Sequence, residues 1–152
     1  MNTPLFVVTY HPATLSGGNP GQAMSVLLDA LDPFGGTIVI TGSNADPGGQ
    51  SVRQAAETFA ATRAQRVARV ESLGSRRYLS LIDQADVVVG NSSSGLLEAP
   101  AIGTPTVDVG PRQAGRPRAP SVIHCEASPD EIAAAVARAM TRSHKEIARQ
   151  RV

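Results

Sequence analysis

Tryptophan is missing from this 152-residue sequence and aromatic residues make up only 3% of it, so a core has to be assembled from valine, isoleucine, leucine and alanine. Side chains of that kind suit parallel strands buried on both faces under small-residue helices. Cysteine is nearly absent too. The single one, Cys125, has no partner for an internal disulfide, and the apolar stretch Ser121-Val122-Ile123-His124-Cys125 reads as a strand holding a buried structural thiol in a reducing compartment. Neither sign of charge is in excess: fourteen Lys and Arg against thirteen Asp and Glu leave +1, which makes no electrostatic case for nucleic acid or an anionic membrane surface. Long apolar runs are lacking, and none approaches the ~20 residues that span a bilayer. The start, Met1-Asn2-Thr3-Pro4, has neither the basic flank nor the apolar core of a signal peptide. A soluble, cytoplasmic chain is expected, with one domain large enough to bury a continuous core without disulfides or metal.

What is there is an alternation. Leu5-Phe6-Val7-Val8, Thr37-Ile38-Val39-Ile40, Asp86-Val87-Val88-Val89 and Thr106-Val107-Asp108-Val109 are short continuous apolar runs, the pattern of strands buried on both faces. Between the first two, Met24, Leu27, Leu28 and Leu31 keep helical spacing behind Asn19 and Pro20, a cap and a first-turn residue. Val52, Ala55, Ala56, Phe59 and Ala60 form a second stripe, followed by a weaker strand near Arg69-Val70-Glu71 and a short helix from Tyr78 to Gln84. Ser128-Pro129-Asp130-Glu131 opens a further helix through Ile132, Ala135, Val136, Ala139 and Met140. Strand, helix, strand, helix implies right-handed crossovers and a Rossmann-like α/β fold, a parallel sheet with helices on both faces. Residues 1–142 are expected to form this domain, and the polar tail 143–152 to fray or to dock on a partner domain absent from the chain.

In open parallel sheets ligands bind beyond the carboxyl ends of the strands, which directs attention to three loops. Gly90-Asn91-Ser92-Ser93-Ser94-Gly95 follows one strand and puts hydroxyls and unpaired backbone N–H groups at the start of a helix through Leu96, Leu97 and Glu98, an arrangement that attracts anions. The same residues also make a plain serine-rich helix cap, and local chemistry leaves both readings open. The loop lacks the Gly-x-Ser-x-Gly spacing of a hydrolase elbow and the lysine of a P-loop. Glu98, a turn further on, can accept hydrogen bonds from ribose hydroxyls or simply face water. A helix terminus supplies only about 0.3–1 kcal/mol towards an exposed anion, whereas hydrogen bonds to charged groups supply about 1.5–3 kcal/mol each, so a diphosphate needs cations. Arg112 and Arg116, in the glycine-rich loop after the Val107 strand, are the natural suppliers, their forks matching phosphate oxygens; Arg118 reads as surface. His11, directly after the first strand, is a candidate phosphate ligand or acid/base, with a structural role as the alternative. His124 and His144 have no partners at metal-ligand spacing, so no metal site is assigned, and no cofactor is called for.

The stretch from Val89 to Val107, Gly-Asn-Ser-Ser-Ser-Gly-Leu-Leu-Glu-Ala-Pro at its centre, followed by Arg112-Gln113 and Arg116, closely resembles the C-terminal domain of UDP-N-acetylglucosamine 2-epimerases, and the hydrolysing branch more nearly. Val8-Thr9-Tyr10-His11-Pro12-Ala13-Thr14-Leu15 is similar to that family's strand-loop histidine motif, so the resemblance covers nearly the whole chain. It implies the C-terminal half of a glycosyltransferase-B-like two-domain enzyme, with UDP or a UDP-N-acetylamino sugar as ligand and, in the full-length enzyme, room for a homodimer. Carried over by position, His11 and Arg116 contact phosphate, Ser92, Ser93 and Ser94 hold the diphosphate, Glu98 binds ribose, and uracil lies near Leu73 and Gly74.

The mechanism implied by the resemblance removes the proton at sugar C2 with anti elimination of UDP, then adds water or UDP to the 2-acetamidoglucal from the opposite face. The carboxylates for those steps belong, in the family, to an N-terminal domain that this sequence does not include, so the 152-residue chain is expected to be inactive alone. Two other functions fit the same residues: the nucleotide domain of a glycosyltransferase of the same architecture, against which the Asn91-to-Glu98 wording argues, and a non-catalytic UDP-sugar binding module.

Overall fold

The computed structural model describes residues 3–12, 19–42, 49–70 and 74–150. Within them six parallel strands form one sheet in the order β3-β2-β1-β4-β5-β6: β1 Leu5–Thr9, β2 Thr37–Thr41, β3 Val67–Val70, β4 Val87–Gly90, β5 Thr106–Val109 and β6 Val122–Cys125. This is the strand order of a doubly wound Rossmann sheet. The chain builds outward from β1 through β2 to β3, then returns across the sheet to place β4 on the other flank of β1. Val7 pairs with Val39 on one side and with Val88 on the other, so the order reverses between β1 and β4.

Helices α1 Pro20–Leu31, α2 Gly49–Ala61, α3 Gly74–Gln84, α4 Ser93–Ile102, α5 Pro129–Ala139 and α6 Arg142–Arg149 complete the layers. Alternate residues of a strand point to opposite faces, and β1 shows the result. Phe6 and Val8 join Met24, Leu27, Leu28, Val52 and Val136 in the larger core under α1, α2 and α5, whereas Val7 joins Ile82, Val88 and Ala99 in a smaller one under α3 and α4. Burial on both faces explains why the strands read as unbroken apolar runs.

The helix starts follow their sequence signals. Asn19 caps α1, its side chain accepting from the N–H groups of Gly21 and Gln22, and Ser128 caps α5 by accepting from Glu131. The Glu131 carboxylate returns to the Ser128 hydroxyl and to the N–H of Glu126. Two elements begin earlier than the apolar pattern suggests: β3 at Val67 and α3 at Gly74. Glu71, expected in that strand, lies outside the described residues.

The tail beyond Met140 contains α6. Thr141 caps it by accepting from the His144 N–H, and the i, i+4 pair His144 and Ala148 is buried, with His144 Nε2 2.9 Å from the carbonyl of Ser121. Two buried positions in an otherwise polar segment are too few to stand out as a stripe. Lys145 Nζ reaches Asp86 at 3.3 Å, while the other Asp86 oxygen accepts the N–H of Leu5 at 2.7 Å, so α6 is fastened to the edge where β1 and β4 begin. Among the described residues no helix is long and apolar enough to cross a membrane.

Candidate functional site

At the carboxyl ends of β1 and β4 the chain turns with the two backbones in close approach, and Gly90 shows why. Its φ is 146°, and a Cβ there would lie 1.9 Å from the carbonyl oxygen of Thr9. Only glycine lets β4 leave the sheet this close to β1. Asn91 follows, almost wholly buried, and each of its polar groups is engaged. Its N–H donates to Thr9 O at 3.2 Å. Its side-chain Oδ1 accepts the N–H of His11 at 2.7 Å, and Nδ2 donates to the carbonyl of His11 at 2.8 Å. Its own carbonyl accepts from Arg112 Nη1 at 3.1 Å and from the buried Gln113 Nε2 at 2.8 Å. One residue thus ties together the loops after β1, β4 and β5.

The helix begins at once. Ser92 caps α4, its Oγ accepting the N–H of Ser94 at 3.3 Å, and Ser94 Oγ lies 3.1 Å from it. Gly95, in the first turn, lets α4 settle onto β5: a Cβ there would stand 2.9 Å from the methyl of Thr106. Tyr78 on α3 completes the row, its hydroxyl 2.6 Å from Ser94 Oγ and 3.4 Å from Thr9 Oγ1; Thr9 Oγ1 in turn bonds Thr41 Oγ1. A chain of hydroxyls therefore runs along the sheet edge from β2 to the start of α4.

Of the residues singled out in the sequence, His11, Ser92, Ser93, Ser94 and Arg112 come together around Asn91. Arg116 lies exposed on the same loop, its N–H bonded to Gln113 O at 3.2 Å. Glu98 is exposed further along α4, beside a groove shared with Leu79, Ser80, Asp83 and Leu97. Gly74 opens α3 with a φ of 72°; Leu73 lies outside the described residues. Arg118 is exposed.

His124, which has no partner at metal-ligand spacing in the sequence, pairs across the strands with buried Asp108, Nδ1 to Oδ2 3.0 Å, and its Nε2 stands 3.6 Å from Glu126. Cys125 is buried, and its thiol is pushed up to about 12 by desolvation first and then by the neighbouring carboxylates of Glu131, Asp108 and Glu126. It stays a thiol at neutral pH, which makes it a poor nucleophile. Asn91, Gln113 and Tyr78 are the residues that motif reading undervalued. Asn91 stands inside the quoted motif, but its role depends on a side chain meeting residues 80 positions away.

The profile of the UDP-N-acetylglucosamine 2-epimerase family matches residues 1–152. A relative from Campylobacter jejuni, the hydrolysing GDP/UDP-N,N'-diacetylbacillosamine 2-epimerase, is 34% identical over 127 residues, 83% of this chain and 33% of the relative. The crystal structure of the UDP-GlcNAc 2-epimerase from Neisseria meningitidis bound to UDP-GlcNAc superposes with a TM-score of 0.72 at 13% identity, over 97% of this chain and 39% of that one. The ADP-heptose heptosyltransferase II of Escherichia coli shares the fold at a TM-score of 0.67 and 13% identity, over 90% of this chain and 46% of that one. The chain spans about a third of the length of the curated relatives it matches.

Proposed function

The chain belongs to the UDP-N-acetylglucosamine 2-epimerase family, and on that premise we propose that it forms the UDP-binding domain of an enzyme of that kind, converting UDP-GlcNAc to N-acetylmannosamine and UDP or, without net hydrolysis, to UDP-ManNAc. The observation that carries the reading is the convergence of the His11 loop, the serine start of α4 and Arg112 on Asn91, at the strand-order reversal where such sheets bind nucleotides. Ser92, Ser93 and Ser94 hold the diphosphate with Arg112, Arg116 and His11; Glu98 takes the ribose hydroxyls, and the uracil lies by the start of α3 at Gly74 and Leu73.

In this reading UDP is the leaving group. As the C1–O bond breaks, negative charge grows on the β-phosphate. The N–H groups at the start of α4 and the Arg112 guanidinium stabilise that charge more than they stabilise the intact C1–O bond, and one such donor lowers the barrier by ~3–4 kcal/mol. The base that removes the C2 proton belongs to the other half of the full-length enzyme, so the isolated chain binds without turning over.

Calorimetry tests the assignment. UDP should bind the 152-residue chain with a Kd of about 10 µM to 1 mM, ~4–7 kcal/mol, as expected of half a site. ADP or free N-acetylglucosamine should bind more weakly. GDP belongs in the series because the name of the Campylobacter jejuni relative includes it. Equal or tighter binding of ADP would sink the uridine assignment. Glu98→Ala should weaken UDP and uridine alike, whereas Arg116→Ala should weaken UDP far more than uridine.

The fold is shared with a glycosyltransferase, so fold does not separate the two chemistries. UDP release from UDP-GlcNAc without an acceptor does, once a matching N-terminal half is supplied. Release only with an acceptor marks a transferase; neither released UDP nor UDP-ManNAc formed marks a binding module.

A further inference from the structure

The hydroxyls at the sheet edge have a direction. Tyr78 has one proton and two oxygens within reach, Ser94 Oγ at 2.6 Å and Thr9 Oγ1 at 3.4 Å. The shorter contact takes the proton, and between a phenol and an aliphatic alcohol the phenol is the stronger acid and donates. Thr9 needs no proton from Tyr78 to be satisfied. It lies against Thr41 Oγ1, and Thr41 Oγ1 also stands 3.4 Å from the carbonyl of Val8, to which it can only donate. Once Ser94 accepts from Tyr78, its own proton is directed to Ser92 Oγ, 3.1 Å away. Ser92 Oγ also accepts the Ser94 N–H at 3.3 Å. A serine hydroxyl has two lone pairs and one proton, so both of its acceptor sites are filled and the group can only donate.

We propose that Tyr78 is a positioning residue that sets the order of this hydroxyl chain, Tyr78 to Ser94 to Ser92, so that Ser92 presents its proton to a phosphate oxygen. The proposal rests on the UDP reading given above. It explains why a residue on α3, outside the serine loop, belongs to phosphate recognition. An oxyanion is read by donors alone, and a hydroxyl free to rotate spends part of its time offering a lone pair instead. Tyr78→Phe removes the proton at the head of the chain, frees Ser94 to turn, and unlocks Ser92.

The test has a ligand-free arm and a binding arm. The chain has two tyrosines, so labelling tyrosine Cζ with carbon-13 gives two signals, and Tyr78→Phe identifies its own. Donation draws the phenol towards phenolate and moves Cζ downfield; removal of the acceptor by Ser94→Ala should move the Tyr78 signal upfield. A downfield move would mean that Ser94 was the donor, and would overturn the order.

In the binding arm, calorimetry with UDP and with uridine should show Tyr78→Phe weakening UDP by about 5- to 20-fold, with uridine within about twofold; the loss stays at or below the low end of the roughly 10- to 150-fold of a hydrogen bond to a charged group removed outright, because Ser92 keeps its proton and loses only its direction. Tyr78→Phe combined with Ser92→Ala should bind UDP no more weakly than Ser92→Ala alone, because the two act through one proton. Equal losses for UDP and uridine would reduce Tyr78 to a packing role, and unchanged UDP binding would remove it from the site altogether. A wild-type chain that binds no UDP, while Ser94→Ala still moves the Tyr78 signal upfield, would overturn the uridine diphosphate reading and leave the hydroxyl order standing.

Discussion

The side-chain amide of Asn91 grips the main chain of His11 from both sides, accepting its N–H at 2.7 Å and donating to its carbonyl at 2.8 Å. Both residues are buried, so neither bond is readily replaced by water. Asn91→Ala should leave two buried backbone groups of residue 11 unmet. Such groups cost about 1–3 kcal/mol each, and a destabilisation of roughly 2–6 kcal/mol is expected in urea, with the midpoint lowered and the slope unchanged. Asn91→Asp keeps the acceptor but sets a carboxylate against the His11 carbonyl, and should also be clearly less stable. A loss below ~0.5 kcal/mol for both would show that the clamp contributes nothing.

On the UDP reading Arg112 combines a structural contact with a binding one, and the two are separable. One of its N–H groups goes to Asn91 O, which Gln113 also holds at 2.8 Å. Arg112→Ala should therefore cost under ~1 kcal/mol in stability, in the range of surface substitutions. On the UDP reading it should weaken UDP by about tenfold or more. Arg112→Lys should recover only part, since an ammonium lacks the fork. Wild-type affinity in Arg112→Ala would remove it from the phosphate site.

Cys125 gives a pH signature. Its thiol is raised from 9.0 to about 12 in the fold, so the folded state favours the protonated form. The contribution is fully present below the unfolded value and is lost as pH rises from about 9 towards 12. Stability should fall across that window by up to ~1.4 kcal/mol per pH unit from this group, and Cys125→Ala should flatten the slope. At pH 8 the folded chain should resist iodoacetamide, and labelling at the rate of the unfolded chain would contradict the burial.

The last helix can be tested by its two fastenings. His144 is buried with Nε2 on Ser121 O at 2.9 Å, whereas Lys145 and Asp86 are 34% and 25% exposed at 3.3 Å. Exposed ion pairs contribute little. His144→Ala should cost about 1–3 kcal/mol and Lys145→Ala under ~0.5 kcal/mol, read by urea unfolding. A chain ending at Met140 should lose at least as much as His144→Ala; unchanged stability would place α6 outside the domain.

Much of this was legible in advance, for physical reasons that differ by element. β1 and β4 declared themselves because strands buried on both faces have no polar alternation to confuse. The start of α4 was plain because Ser92, Gly95 and Glu98 are local signals. The fastening of α6 was not, because its buried face is His144 and Ala148 alone. Nor was the role of Tyr78, whose partners are 16 and 69 residues distant. Local rules find caps and strands; they do not find a phenol that another element brings to the cap.

Gly95 leaves no side chain between α4 and β5, and the methyl of Thr106 fills the space where its Cβ would be. Mechanically, the two walls of the site are unlike. The serine wall is bolted to the sheet and shifts only if the sheet does. The arginine wall is a loop whose main chain from residue 111 to 116 bonds within itself, Ala114 to Pro111 and Arg116 to Gln113, and which is tied to the rest of the site through the side chains of Arg112 and Gln113 on Asn91 O. On the UDP reading, accommodation of a longer or bulkier ligand therefore falls to the side of Arg112 and Arg116, and the serine side serves as the fixed jaw of a vice.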